Sequence, residues 1–166
     1  MANKFNEILE LSTIEKKFFQ ICNDLLPNEG YGIYDLRYLT GSSTLRVFIT
    51  KNSDVKNIGI TDCVKVDKLI SSLIDEAEWI PDNFVLEVSS PGVYRDIRNS
   101  DQLKYSVNDL LKIKFNSHID NDSFKNKQVV GTLLNYNNDE LEMNIEGKNI
   151  VIKYESIKSV NAEIEF

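Results

Sequence analysis

Long apolar runs are missing from this sequence: the longest stretches, such as Ile150-Val151-Ile152, cover only a few residues, against the roughly twenty needed to cross a bilayer as a helix. The opening Met1 to Glu7 is polar and lacks an apolar core ahead of a small-residue cleavage site. The secretory reading therefore fails, and the cytosol is the expected compartment. There are only two cysteines, Cys22 and Cys63. They stand far apart, each inside an apolar helical pattern, and read as buried thiols rather than a disulfide or a metal pair. A single histidine, His118, lies in the polar run Asn116 to Ser123, where a solvated side chain is expected rather than a proton shuttle. Low-complexity tracts and internal repeats are also absent, apart from the short loop Asn135 to Asp139.

Basic charge is in deficit. The chain carries 26 acidic against 19 basic side chains, a net charge of −7. Such a protein is repelled by a phosphate backbone at long range, so non-specific nucleic-acid binding is not its main business and a basic protein is the better-matched partner. The acidity is concentrated in residues 1–92, at net −5, against −2 for residues 93–166.

What is present reads as two modules within 166 residues, 42% of them hydrophobic. From Phe5 to Leu26 apolar residues recur at three- and four-residue steps, an amphipathic helix that starts or restarts at the capping box Ser12-Thr13-Ile14-Glu15. Pro27 to Gly30 ends it. The period then becomes two, with Gly32, Tyr34, Leu36 and Tyr38 on one face, and resumes after Thr40 to Ser43 with Leu45, Val47 and Ile49, a β-hairpin. A second helix, capped by Thr61 or Asp62, aligns Cys63, Val66, Ile70, Leu73, Ile74 and Ala77 before Pro81 stops it. Phe84, Leu86 and Val88 then make a third strand. This α-β-β-α-β order defines an N-terminal α+β domain over residues 1–92. Residues 93–105 are expected to be a polar linker. Residues 106–166 carry five short strands, at Leu111 to Phe115, Gln128 to Tyr136, Leu141 to Ile145, Ile150 to Tyr154 and Val160 to Phe166, and so predict a small all-β barrel of the Sm or SH3-like kind.

Residues that could support chemistry are few. Asp120 and Asp122 begin the spacing of an EF-hand loop, but the glycine and the terminal glutamate that such a loop needs do not follow. Asp75, Glu76 and Glu78 cluster at a helix C-terminus, where carboxylates oppose the dipole. They read as a solvated face open to a basic partner rather than a metal site. Ser89-Ser90-Pro91-Gly92 lacks the Gly-x-Ser-x-Gly spacing of a nucleophile elbow. Pro91 withholds a donor and Gly92 can take a positive φ, so the pair ends the third strand in a sharp turn between the domains. No enzyme, metal or cofactor is expected.

The run Leu86-Glu87-Val88-Ser89-Ser90-Pro91-Gly92-Val93-Tyr94-Arg95 resembles the signature of the RimP family of ribosome maturation factors, usually Leu-Glu-Val-Ser-Ser-Pro-Gly-Leu-Asp-Arg-Pro-Leu. Upstream, Gly59-Ile60-Thr61-Asp62-Cys63 is similar to that family's opening of its second helix. Tyr94, Asp96 and Ile97 depart from the pattern. The resemblance implies a non-enzymatic cytoplasmic factor that binds the immature small (30S) ribosomal subunit, assists its assembly and rRNA maturation, and contacts a basic ribosomal protein near the decoding region. It takes no small molecule and touches no membrane, and a monomer is expected. The residues that carry the family signature are Glu87, Ser89, Ser90, Pro91, Gly92 and Arg95. Candidate contacts to ribosomal protein or rRNA are Asp75, Glu76, Glu78, Arg98, Lys112, Lys114, Lys125 and Lys127, with Arg95 a further RNA-facing candidate. Each cation alone is equally well read as solubilising charge. For Glu87, Arg95 and Asp96 an ion pair between the domains is a competing role. The alternative is a free-standing Sm-like RNA-binding regulator, against which the net charge argues.

Overall fold

A computed structural model describes residues 11–92, 95–116 and 127–163. The described residues fall into two compact units, Leu11–Gly92 and the residues that follow Gly92.

In the first unit, α1 (Thr13–Leu25) starts where the capping box predicts. Ser12 Oγ accepts the Glu15 amide at 3.3 Å while a Glu15 carboxylate oxygen accepts the Ser12 amide at 2.9 Å. Two of the orphan donors of a helix start are thereby satisfied. The other Glu15 oxygen accepts the Tyr38 amide at 2.9 Å, so the cap also ties the helix to the sheet. Residues 5–10, expected as an earlier part of this helix, lie outside the described residues.

Three strands follow: β1 (Tyr31–Leu39) and β2 (Thr44–Lys51) form the antiparallel hairpin, and β3 (Val85–Ser89) joins β2 in parallel, in the order β1-β2-β3. The parallel pairing requires a crossover, which α2 (Ile60–Ile74) supplies. Phe18 and Cys22 of α1 and Val66, Ile70 and Ile74 of α2 bury against Leu36, Leu45, Val47 and Ile49 of the sheet. Strict alternation along β1 does not hold. The register shifts between Ile33 and Asp35, so Tyr31 and Ile33 face the core before the bulge and Leu36 and Tyr38 after it. One extra residue reverses the side on which the following side chains point. Two positions on α2 also differ from the sequence expectation, because Leu73 is exposed at 36% and the helix ends before Ala77.

The second unit holds a six-stranded sheet in the order β4-β9-β5-β6-β7-β8, from β4 (Asp96–Ile97), β5 (Leu110–Phe115), β6 (Gln128–Tyr136), β7 (Glu140–Ile145), β8 (Lys148–Lys153) and β9 (Ile157–Ala162). Leu111, Ile113, Leu133, Leu141, Met143, Ile152 and Val160 meet in one core on a single face. The described strands pair as an open sheet with β4 and β8 at its edges. The expected linker is not a bare connection. Residues 96–106 contribute β4, the short helix α3 (Ser100–Leu103) and a 3-10 turn, with Ile97 and Leu103 buried in the core. The segment is polar because it is short and capped: Asn99 Oδ1 accepts the Gln102 amide at 3.1 Å, and Gln102 Oε1 accepts the Arg98 amide at 2.6 Å.

Candidate functional site

The helix α2 begins one residue before the first expected cap, and its start organises the site. Gly59 is the N-cap. Asp62, three residues on, reaches back to accept the Gly59 amide at 2.9 Å. The same carboxylate accepts the Tyr31 hydroxyl at 2.7 Å and pairs with Lys51 Nζ at 3.1 Å. The Gly59 amide and then the Tyr31 hydroxyl hold Asp62 down at about 2, and the bond to Asp62 pushes Tyr31 up to about 12. One carboxylate thus fixes the first turn of α2 to both strands of the hairpin.

With that turn fixed, Ile58, Gly59, Ile60, Cys63 and Val64 form one wall of an open groove of about 500 Å³, and Val88, Ser89 and Ser90 at the end of β3 form the other. The Ser90 amide is directed at the Cys63 thiol, which burial holds above its ordinary pKa. The two motifs picked out in the sequence, at residues 59–63 and 86–92, therefore meet in space. Asp67 and Lys68 continue the helical wall. Ile60 is 84% and Val64 47% exposed, too much apolar surface for residues that serve only the core.

The signature residues separate into distinct roles. Glu87 pairs with Arg46 of the neighbouring strand at 2.7 Å, with both side chains about half exposed. That pair lies within the first sheet rather than between domains. Ser89 Oγ donates to Ser90 O at 3.0 Å. Gly92 adopts φ +81°, as a turn after Pro91 requires. Arg95 corrects the expectation of an RNA-facing or interdomain cation: it is 7% exposed, donates to Tyr105 O at 3.0 Å and Ser106 Oγ at 2.5 Å, and faces Asp109 at 3.7 Å. It holds the turn after α3 in place. Asp96 accepts the Asn161 side-chain amide at 2.5 Å within the second sheet.

Asp75, Glu76 and Glu78 are exposed at and beyond the end of α2, in the first unit. Lys112 and Lys114 alternate with buried Leu111 and Ile113, and so occupy the outer face of β5. Lys114 stands opposite Gln128 of β6, and the exposed Lys127 precedes it, so these three cations share one region. Arg98 is half-buried beside α3. Lys125, His118, Asp120 and Asp122 lie outside the described residues. Among the described residues, no three His, Cys, Asp or Glu side chains are grouped to hold a metal ion, and no helix is long and apolar enough to cross a membrane.

The 59–63 motif contains Ile60, but neither its exposure nor its pairing with Val64 was evident from the sequence. Their signal was an apolar pair lying off the Val66-Ile70-Ile74 stripe of the same helix, on a face that the crossover leaves uncovered.

The first unit is thus an α+β domain built on a β-α-β crossover, with an exposed groove where the crossover helix begins and the last strand ends. Residues 21–94 match the family model of the RimP N-terminal domain. Over that stretch the chain carries the N-terminal domain of the RimP family, a family of ribosome maturation factors.

Proposed function

We propose that the protein is a cytoplasmic maturation factor that binds the immature small (30S) ribosomal subunit and assists its assembly and rRNA maturation, without catalysing a reaction. The observation that carries this reading is the meeting of the two RimP motifs, 59–63 and 86–92, in one exposed groove of a domain that matches the family model. The net charge of −7 favours a basic ribosomal protein, in the region of the decoding site, as the principal contact. The exposed carboxylates Asp75, Glu76 and Glu78 supply the complementary surface. Lys112, Lys114 and Lys127, on a module of the Sm or SH3-like kind, supply local positive charge for rRNA. The factor acts as a monomer and needs no small molecule.

Gradient co-sedimentation tests this. The protein is expected with free small subunits and precursors, not with translating ribosomes, and its loss should leave unprocessed small-subunit rRNA. Binding should weaken between 50 and 300 mM salt, as exposed charge pairs are screened over a Debye length that falls to roughly 10 Å near 0.1 M. Repeated turnover of a substrate, or indifference to immature subunits, would overturn the reading. Tight binding of short RNA at physiological salt without any ribosomal component would instead favour a free-standing regulator.

A further inference from the structure

The strand β3 has only one neighbour among the described strands, β2. The Val85 amide donates to Ser43 O at 2.9 Å, toward β2. Backbone groups in a strand alternate sides with period two, so Glu87 and Ser89 also point toward β2. The amides and carbonyls of Leu86 and Val88 are therefore directed at the free edge. Natural sheets blunt such an edge with charge, proline or a covering element, because it is a template for another strand. Here Val85 is 47% exposed. The edge's only charge, Glu87, is held by Arg46. Beside the far end of the strand lies the groove with Ile60 and Val64.

The chemistry along this edge is graded. Because α2 connects β2 to the parallel strand β3, helix and strand run in opposite directions. The helix C-terminal carboxylates Asp75 and Glu76 therefore stand toward the start of β3. An occupant meets apolar surface at one end and negative charge at the other. Asp67 stands between them on the same helical wall, and Lys68 is the wall's one cation.

We propose that the free edge of β3 receives an extended segment of a basic partner protein as an added strand, with one apolar side chain of that segment seated against Ile60 and Val64 and its lysines or arginines facing Asp67 and Asp75. Strand addition of this kind draws affinity from main-chain hydrogen bonds and specificity from alternate side chains. The five residues Val85–Ser89 accommodate a segment of about five residues. The proposal rests on the reading of a basic ribosomal partner and names how that partner is held.

The test uses the full-length protein and an acetylated, amidated hexapeptide of alternating lysine and valine as the probe. Three readouts are followed: affinity by anisotropy, amide exchange by NMR, and the alkylation rate of Cys63, whose side chain lines the groove. Exchange at Leu86 and Val88 should slow on binding, and Cys63 alkylation should slow with it. A peptide N-methylated at alternate residues cannot pair as a strand and should bind at least about tenfold more weakly, as should the unmodified probe to Val64→Glu, about 1.4 kcal/mol in each case. Equal affinity for the N-methylated peptide or for a glutamate–valine counterpart would overturn the proposal, as would protection confined to residues away from β3. Protection that rises with protein concentration in the absence of peptide would assign the edge to a second copy and overturn it as well. Small-subunit co-sedimentation keeps the two readings apart. If wild type fails to co-sediment, the assembly reading falls, whatever the peptide does. If wild type and Val64→Glu co-sediment equally, the strand-addition proposal falls and the assembly reading stands.

Discussion

The Tyr31 hydroxyl donates to Asp62 across 2.7 Å, so the first residue of β1 holds the first turn of the crossover helix. Replacing Tyr31 by Phe removes a hydrogen bond to a charged acceptor and should destabilise the fold by about 1–2 kcal/mol. The hydroxyl contributes little to packing, so the loss should appear in the thermal midpoint while the circular dichroism spectrum is unchanged.

The pH dependence of this tie has a definite sign. Asp62 sits at about 2 in the folded protein, below its ordinary 3.8. Between these values the unfolded chain binds more protons than the folded one, so stability rises with pH. The contribution is complete above about pH 4 and is lost as pH falls toward 2. Denaturant midpoints measured from pH 5 to pH 2 should therefore fall more steeply for wild type than for Asp62→Asn.

The two thiols should react in order. Cys22 is fully buried and pushed up to about 12, whereas Cys63 lies in the groove and is only partly buried. Thiolate is the reactive form and access limits it. One equivalent of iodoacetamide should label Cys63 in the native state, and Cys22 should become reactive only on unfolding. Cys63→Ser should abolish the fast phase.

Glycine is required at one position in the second sheet. A Cβ on Gly131 would stand 2.5 Å from Asn144 O in β7, and that contact is backbone. Gly131→Ala should cost about 1–3 kcal/mol through forced separation of β6 from β7. Gly41, with open space around it, should accept alanine with a change within about 0.5 kcal/mol. Chemical denaturation of the two variants makes the comparison.

Arg95 and Lys112 should fail in different assays. Arg95→Ala leaves buried Ser106 without its guanidinium partner and should cost about 3 kcal/mol of stability, as is typical when one member of a buried charged network is removed. Lys112→Glu together with Lys114→Glu should leave stability nearly unchanged and weaken small-subunit binding, with a shallower dependence on salt. Equal loss of stability in both variants would contradict the separation of roles.

The parts of the fold that were legible in the sequence are those with local causes. The start of α1 depends on Ser12 and Glu15, three residues apart, and is readable from them alone. The β1 bulge depends on a register set by β2 and leaves no local mark. In the segment 96–106, β4 is two residues long and pairs with Asn161 and Val160, so periodicity has nothing to count. The site divides in the same way. Charges such as Asp75, Glu76, Lys112 and Lys114 announce an exposed surface. Arg95 announced one too, yet its partners are ten and eleven residues away and enclose it. The groove was invisible because Ile60 and Val64 look like ordinary core residues until the crossover fixes which side of α2 faces out.

That crossover also determines when the groove exists. The β1–β2 hairpin closes through a four-residue connection and forms early, whereas β3 reaches β2 only after the intervening chain has looped back, a slower and more costly closure. A chain emerging from a ribosome therefore displays neither wall of the groove in place until Ser90 has been made and the whole domain has closed. An unfinished or partly folded copy therefore lacks the groove altogether.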